Sequence, residues 1–205
     1  LKFKPNALLI GIAPSGGRLP DAWREMIKTA IRNKLDILNG LHTILSDDPE
    51  FAALAKEHHC TITDWRKIPL TSEVVSQGNW RTRHAKAILA VGTDCNIGKM
   101  TTMLEVHKEF LNRGLKSDFI GTGQTGMMIS RKGISVDAII GDYIAGSIEK
   151  EIDESEREKF DYIFVEGQGS LTHQGYSGVT LGLIHGTMPD AMLICHQPTR
   201  LKDDY

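Results

Sequence analysis

The 205-residue sequence has almost no net charge, few cysteines and no long apolar stretch. Its formal net charge of −2 gives no reason to expect nucleic acid or an acidic membrane surface as a partner. No apolar run approaches the ~20 residues that a helix needs to cross a bilayer, so we expect no membrane span. Cys60, Cys95 and Cys195 lie far apart and without a metal-ligand spacing, which predicts reduced thiols and a cytoplasmic protein.

Two enzyme signatures are also missing. No G-x-G-x-x-G follows the first apolar strand, residues 7–11, so the sequence gives little support for dinucleotide binding at that loop. No serine stands in a nucleophile-elbow or triad spacing, so we expect no covalent acyl-enzyme. The remaining composition, 40% hydrophobic and 24% charged residues, is that of a globular protein of one or two domains.

The apolar pattern alternates between strands and helices, which predicts an α/β fold with parallel sheets. Residues 71–84 carry no clear period, so we predict a first domain over 1–70, a linker over 71–84 and a second domain over 85–205. A helix is predicted to end near Ile152, before a charged surface stretch over 153–159. Because the chain starts without methionine and stops shortly after a strand, we expect both domains to be incomplete.

The most informative motif covers residues 87–102, AILAVGTDCNIGKMTT. An apolar strand enters a glycine-bounded loop that ends in Gly98-Lys99 and opens into a helical pattern, which is the layout of a phosphate-binding P-loop. In such a loop, backbone N–H groups, the helix N-terminus and the lysine ammonium surround phosphate oxygens. We expect a phosphorylated cofactor to contact Gly92, Thr93, Asp94, Asn96, Ile97, Gly98, Lys99, Met100, Thr101 and Thr102.

The motif departs from the common P-loop pattern at two points. Five residues separate Gly92 from Gly98, where the common pattern has four. Met100 stands where a serine or threonine normally binds Mg²⁺, and hydroxyls reappear only at Thr101 and Thr102. The motif therefore predicts phosphate binding without the usual metal ligand.

Three other polar or glycine-rich segments are predicted to follow strands, at residues 121–126, 141–142 and 166–169. Ligands of open parallel sheets bind outside the carboxyl ends of the strands. We therefore expect these segments and the P-loop to converge on a single site.

The strings GTDCNIGK and VEGQG resemble the dethiobiotin synthetase branch of P-loop proteins, which use ATP and Mg²⁺. This resemblance implies a Mg²⁺ site with Glu166 and Asp142 as ligands. Met100 and Asn96 depart from that family's pattern, and its substrate-side lysine segment has no match. An ATP- and Mg²⁺-dependent kinase or ligase is therefore one alternative function, and a non-catalytic nucleotide-binding module is another.

A longer resemblance covers nearly the whole chain. With the strings GIAPSGG, GTDCNIGKMTT, IGTGQTG, VEGQGS, YSGVTLGLIHG and CHQPTR, the chain is identified as a member of the bacterial D-glutamate N-acetyltransferase family. The resemblance implies a Rossmann-like domain followed by a P-loop domain, a longer parent chain, and acetyl transfer from acetyl-CoA to the amine of D-glutamate. We expect the P-loop to hold the phosphates of acetyl-CoA, with a small-molecule acceptor and a homo-oligomeric protein.

Acetyl transfer to an amine needs a base, a polarised thioester carbonyl and a site for the acceptor carboxylates. The candidate catalytic residues are Glu166, His173 and Asp142, with His185 as a further candidate base. Arg200 is the first candidate for the carboxylates, because the guanidinium fork matches two oxygens. Arg131 and Lys132 are the second candidates, and the other predicted substrate contacts are Gln124, Ser170, Tyr176 and Ser177.

Overall fold

A computed structural model describes residues 3–12, 14–200 and 202. The chain divides into two compact units, Leu1–Lys67 and Ile68–Tyr205. Each unit has a parallel sheet covered by helices, which confirms the predicted α/β fold. No helix within the described ranges is long and apolar enough to cross a membrane.

The first unit has a three-stranded parallel sheet in the order β1-β2-β3. Its strands are β1 (Ala7–Leu9), β2 (Asp36–Asn39) and β3 (Ile62–Asp64), and its helices are α1 (Asp21–Arg32) and α2 (Pro49–His58). Apolar residues at helical spacing in α1 place Ile27 and Ile31 in the core, where they pack with Phe51 of α2.

Polar side chains hold the loops at the carboxyl edge of this first sheet. The Asp64 carboxylate accepts the N–H groups of Leu45 (2.9 Å) and Ser46 (2.8 Å). The buried Asn39 amide donates to Asp64 Oδ1 and to the carbonyl of Thr43. These polar groups therefore stabilise the loop between β2 and α2.

The second unit has a four-stranded parallel sheet in the order β5-β6-β4-β7. Its strands are β4 (Lys86–Gly92), β5 (Ser117–Ile120), β6 (Tyr162–Val165) and β7 (Ala191–Cys195). Its helices are α3 (Lys99–Asn112), α4 (Gln124–Ser130), α5 (Ile144–Arg157) and α6 (Ser177–Thr187).

The alternation of side chains along the central strands places apolar residues on both faces of the second sheet. On one face, Leu89 and Ile163 pack with Ile148 of α5. On the other, Phe164 packs with Met103 of α3. A strand that is buried on both faces is typical of a parallel sheet between helical layers.

Helix α5 continues five residues beyond the predicted end at Ile152, so the predicted end of this helix is wrong. The charges at 153–157 lie in a helix that still buries Ser155, and the Ser155 hydroxyl donates to Asp118 Oδ2 at 2.7 Å. The end of this helix was missed because its last buried residue is a small polar serine, which adds nothing to the apolar period that predicts a helix.

Residues 71–84, predicted as a linker, contact helix α5 of the second unit. The Glu149 carboxylate accepts the N–H groups of Gln77 and Asn79, and the Ser147 hydroxyl donates to the carbonyl of Ser72. The segment also contains short 3₁₀ turns at Leu70–Ser72 and Asn79–Arg81. The division into compact units accordingly falls at residue 68.

Candidate functional site

Strand register brings the polar loops of the second unit to one edge of the sheet. Gly92 at the end of β4 pairs with Cys195 at the end of β7. Val165 at the end of β6 pairs with Leu89 of β4 and Ile120 of β5. The P-loop and the loops over 121–126 and 166–169 therefore converge as predicted, because each follows one of these strands.

The segment at residues 141–142 does not follow a strand, so that part of the prediction is wrong. A 3₁₀ turn, Val136–Ala138, precedes it, and a second turn, Gly141–Tyr143, leads directly into α5. Asp142 lies exposed in that second turn. Ala138 to Ile140 were predicted as a strand, but Ala138 belongs to the first turn, and Ile139 is the one residue of the three that is buried.

The P-loop joins β4 to α3 through two glycines with different structural requirements. Gly98 is the N-cap of α3 with φ of 91°, a left-handed conformation that disfavours other residues. A Cβ at Gly92 would lie 2.8 Å from Ile97 Cδ1 and 3.0 Å from Lys99 Cδ. Gly98, as the N-cap, has no side chain with which to cap the first turn of α3, so the N–H groups of that turn are suited to an anion.

Lys99 is buried at the first position of α3, with only 6% of its surface exposed. Its Nζ donates to the carbonyl of Asp94 at 2.7 Å. Burial lowers the pKa of Lys99, although the nearby Cys95, Cys195 and Asp94 oppose the shift. A cation at the positive end of a helix dipole gains stabilisation from a bound anion.

Arg200, predicted to bind the acceptor, contacts the P-loop itself. Its NH1 donates at 2.8 Å both to Asp94 Oδ2 and to the carbonyl of Cys95, and its NH2 donates at 3.3 Å to the carbonyl of Asn96. Asp94 is only 3% exposed, and its Oδ1 accepts the N–H of Cys95 at 2.7 Å. Arg200 and Asp94 therefore form an ion pair within the loop.

Residues after β6 and β7 also form hydrogen bonds with the P-loop. The N–H of Leu171 donates to the carbonyl of Gly92 at 2.8 Å, and the Thr172 hydroxyl donates to the carbonyl of Thr93 at 2.6 Å. Thr93 Oγ1 lies 2.9 Å from His196 Nδ1. Thr172 was not predicted, since one threonine in a polar loop carries no recognisable pattern.

Glu166 is buried beside the loop that follows β5. Its Oε2 accepts the N–H groups of Thr122 at 2.8 Å and Gly123 at 3.1 Å. Burial raises the pKa of Glu166, while these two hydrogen bonds and the charge of Lys99 act in the opposite direction. A Cβ at Gly126 would overlap Oε2, so this arrangement requires the glycine.

The loop that carries His173 is held by its own side chains. Ser170 Oγ accepts the N–H groups of Thr172 at 3.2 Å and His173 at 3.1 Å. His173 Nδ1 accepts the N–H of Gly175 at 3.0 Å, and the His173 and Tyr176 rings lie 4.7 Å apart. An accepting Nδ1 assigns the proton of the neutral imidazole to Nε2.

Most of the remaining predicted residues lie at helix ends. Met100 and Thr102 are half-buried in the first turn of α3, where Thr101 is exposed. Gln124 and Ser177 are the first residues of α4 and α6. His185 is exposed in the last turn of α6, and Lys132 forms ion pairs with Asp118 and Glu158.

The residues at this edge fit a phosphate better than a metal ion. The open first turn of α3 and the ammonium of Lys99 match an anion. Met100 offers no oxygen ligand, and Glu166 already accepts two backbone N–H groups. Across residues 3–12, 14–200 and 202, no three His, Cys, Asp or Glu side chains form a group that could hold a metal ion.

Comparison with known families matches both halves of the chain. Residues 1–68 match "Domain of unknown function (DUF1611_N) Rossmann-like domain". Residues 74–204 match "Domain of unknown function (DUF1611_C) P-loop domain".

Individual relatives match almost the whole chain. A "D-glutamate N-acetyltransferase" of Tritonibacter scottomollicae is 44% identical over 195 residues, covering 95% of this chain and 57% of the relative. One from a Pseudoalteromonas species is 39% identical over 199 residues, covering 97% and 58%. The crystal structure of a DUF1611 family protein from Anabaena variabilis superposes with a TM-score of 0.92 at 39% identity, covering 99% and 58%. The chain thus spans somewhat more than half the length of the relatives it matches.

Proposed function

This chain belongs to the DUF1611 family. We propose that the protein is an N-acetyltransferase that moves acetyl from acetyl-CoA to the amine of D-glutamate or a similar amino acid. The observation that carries the proposal is the identity of 44% and 39%, over nearly the whole chain, to two relatives named for that activity. The open, lysine-bearing start of α3 supports a phosphorylated co-substrate.

Coenzyme A carries a pyrophosphate and a 3′-phosphate, and either group suits the P-loop. The ammonium of Lys99 and the first-turn N–H groups of α3 would hold phosphate oxygens. Acetyl transfer moves no phosphoryl group, so it does not need the Mg²⁺-binding hydroxyl that methionine replaces at position 100. Acetyl-CoA supplies the acetyl group as a thioester.

In the proposed reaction, a C–N bond forms, the thioester C–S bond breaks, the amine loses a proton and the leaving thiolate takes one up. Glu166 is the proposed base, because a raised carboxyl pKa brings it closer to neutral pH. His173 is the proposed donor to the thioester oxygen, since its Nε2 carries the proton of the neutral ring.

Cofactor choice is tested by calorimetric titration of the full-length protein with coenzyme A and, separately, with ATP plus Mg²⁺. We expect coenzyme A to bind and Lys99→Ala to weaken that binding about 100-fold, through loss of a charged hydrogen-bond donor. Lys108→Ala is the matched control, because Lys108 lies on the same helix and pairs with Glu105 at the surface. Tight binding of Mg-ATP without affinity for coenzyme A would favour a kinase or ligase instead.

The reaction itself is tested by thiol release from acetyl-CoA with D-glutamate, with L-glutamate and without acceptor. We expect release that requires D-glutamate, and a Glu166→Gln variant that loses kcat while keeping its affinity for coenzyme A. A Glu166→Gln variant with unchanged kcat contradicts the proposed base. Absence of acceptor-dependent thiol release from the wild-type protein contradicts the proposed activity.

A further inference from the structure

Five consecutive backbone carbonyls of the P-loop, at residues 92–96, each accept a hydrogen bond from a group outside that segment. The donors, in chain order of the carbonyls, are the N–H of Leu171, the hydroxyl of Thr172, the ammonium of Lys99 and two nitrogens of Arg200. Two of the five carbonyls therefore depend on one guanidinium group.

The direction of these carbonyls affects anion binding through the geometry of the peptide unit. The C=O of one residue and the N–H of the next point in opposite directions in a planar trans peptide. Fixing the carbonyls of Cys95 and Asn96 towards Arg200 therefore turns the N–H groups of Asn96 and Ile97 away from it. Backbone N–H groups that point to a common side form the anion-binding part of such a loop.

The ion pair of Arg200 with Asp94 holds the guanidinium at this position. Asp94 is almost fully buried and lies at the start of the segment that Arg200 contacts. A buried carboxylate that loses its cation is destabilised, and its negative charge beside the loop would repel a phosphate. A lysine would keep the charge but lose the planar fork that reaches the carboxylate and two carbonyls together.

We propose that Arg200 is a positioning residue of the phosphate site, which holds residues 94–96 in their anion-binding conformation through the ion pair with Asp94. In this role Arg200 does not contact the acceptor carboxylates. The inference rests on the part of the proposed function that assigns a phosphate to the P-loop, and it does not depend on acetyl transfer.

The test measures binding of coenzyme A, ATP and inorganic pyrophosphate to the full-length protein by calorimetry. We expect Arg200→Ala to weaken binding about 10- to 100-fold, and Arg200→Lys to weaken it less. Asp94→Asn added to Arg200→Ala should recover part of the loss, because it removes the uncompensated carboxylate. Arg113→Ala is the control, since Arg113 also pairs with a carboxylate but lies exposed at the end of α3.

Steady-state kinetics separates positioning from acceptor binding. We expect Arg200→Lys, the milder variant, to raise KM for acetyl-CoA and leave KM for the acceptor within about twofold. A raised KM for the acceptor with unchanged affinity for coenzyme A would overturn the inference. So would equal affinities of Arg200→Ala and wild type for every phosphate compound, or a wild-type protein that binds none of the three. If the wild-type protein binds pyrophosphate or ATP but does not bind coenzyme A, only the proposed function is contradicted. The same variants then test the role of Arg200 with those compounds.

Discussion

Helices α2 and α3 both follow a strand of a parallel sheet, but their first turns are satisfied in opposite ways. At α2, the Asp48 side chain accepts the N–H groups of Glu50 at 3.0 Å and Phe51 at 3.3 Å, and Pro49 has no N–H. At α3, the N-cap is Gly98, which has no side chain to offer. The start of α2 is closed by its own sequence, whereas the start of α3 keeps the capacity to bind an anion.

The two helix starts also carry charges of opposite sign. Asp48 places a negative charge at the positive end of the α2 dipole, and the hydrogen bond from Arg24 is the main cause of its lowered pKa. Lys99 places a positive charge at the corresponding end of α3. The start of α2 therefore carries its own stabilising charge, whereas the start of α3 carries a cation that the helix dipole disfavours.

The largest expected effect comes from making α3 resemble α2. We expect Gly98→Asp to weaken coenzyme A binding by about 100-fold or more, because its carboxylate would occupy the first turn and repel a phosphate. Gly98→Ala in the same calorimetric titration separates this effect from backbone strain. Equal affinities of the two variants would show that the charge plays no part.

A smaller effect is expected from backbone strain alone. Gly98→Ala should lower the free energy of unfolding by about 1–2 kcal/mol, because position 98 has φ of 91° and an L-residue is strained there. A Cβ at Gly98 meets nothing within 4 Å, so no steric overlap contributes. Gly178→Ala in α6, which also meets nothing and has an ordinary φ, is the control in urea unfolding. A similar stability change in both variants would contradict the strain argument.

At α2, loss of the cap should affect stability without affecting binding. We expect Asp48→Ala to lower the free energy of unfolding by about 1 kcal/mol, because two N–H groups lose their acceptor. Coenzyme A binding should stay unchanged, since the side chain of Asp48 contacts Glu50, Phe51 and Arg24 rather than the P-loop. Thermal unfolding with and without coenzyme A measures both quantities, and weaker binding in this variant would contradict the separation of the two helix starts.

The smallest expected effect is a pH dependence at Glu166. Burial raises the pKa of Glu166 above its ordinary value of 4.5, so the favourable contribution of this group to the free energy of unfolding is present below about pH 4.5 and is lost as pH rises through the folded-state pKa. Glu166→Gln cannot ionise, so the free energy of unfolding of this variant should increase relative to wild type as pH rises through that window. Urea unfolding at a series of pH values measures the difference. A constant or falling difference would contradict the raised pKa.

The α/β fold, the P-loop and membership of the family could all be predicted from the amino-acid sequence alone. These features rest on local patterns, because strand and helix periods, a left-handed glycine and a lysine at the start of a helix are all encoded by neighbouring residues. Gly98 and Lys99 could be assigned from one string of letters for this reason. The family relation likewise rests on such strings, which the comparisons confirm.

The contacts of the polar side chains, in contrast, are evident only from the folded structure. Arg200 lies 106 positions after Asp94, and Thr172 lies 79 positions after Thr93, so no spacing rule connects them. The same holds for Glu149, whose carboxylate accepts N–H groups from a segment that was predicted to be a linker. A charged or hydroxyl side chain can satisfy its hydrogen bonds with many partners, and the packing of the sheet and helices selects one of them.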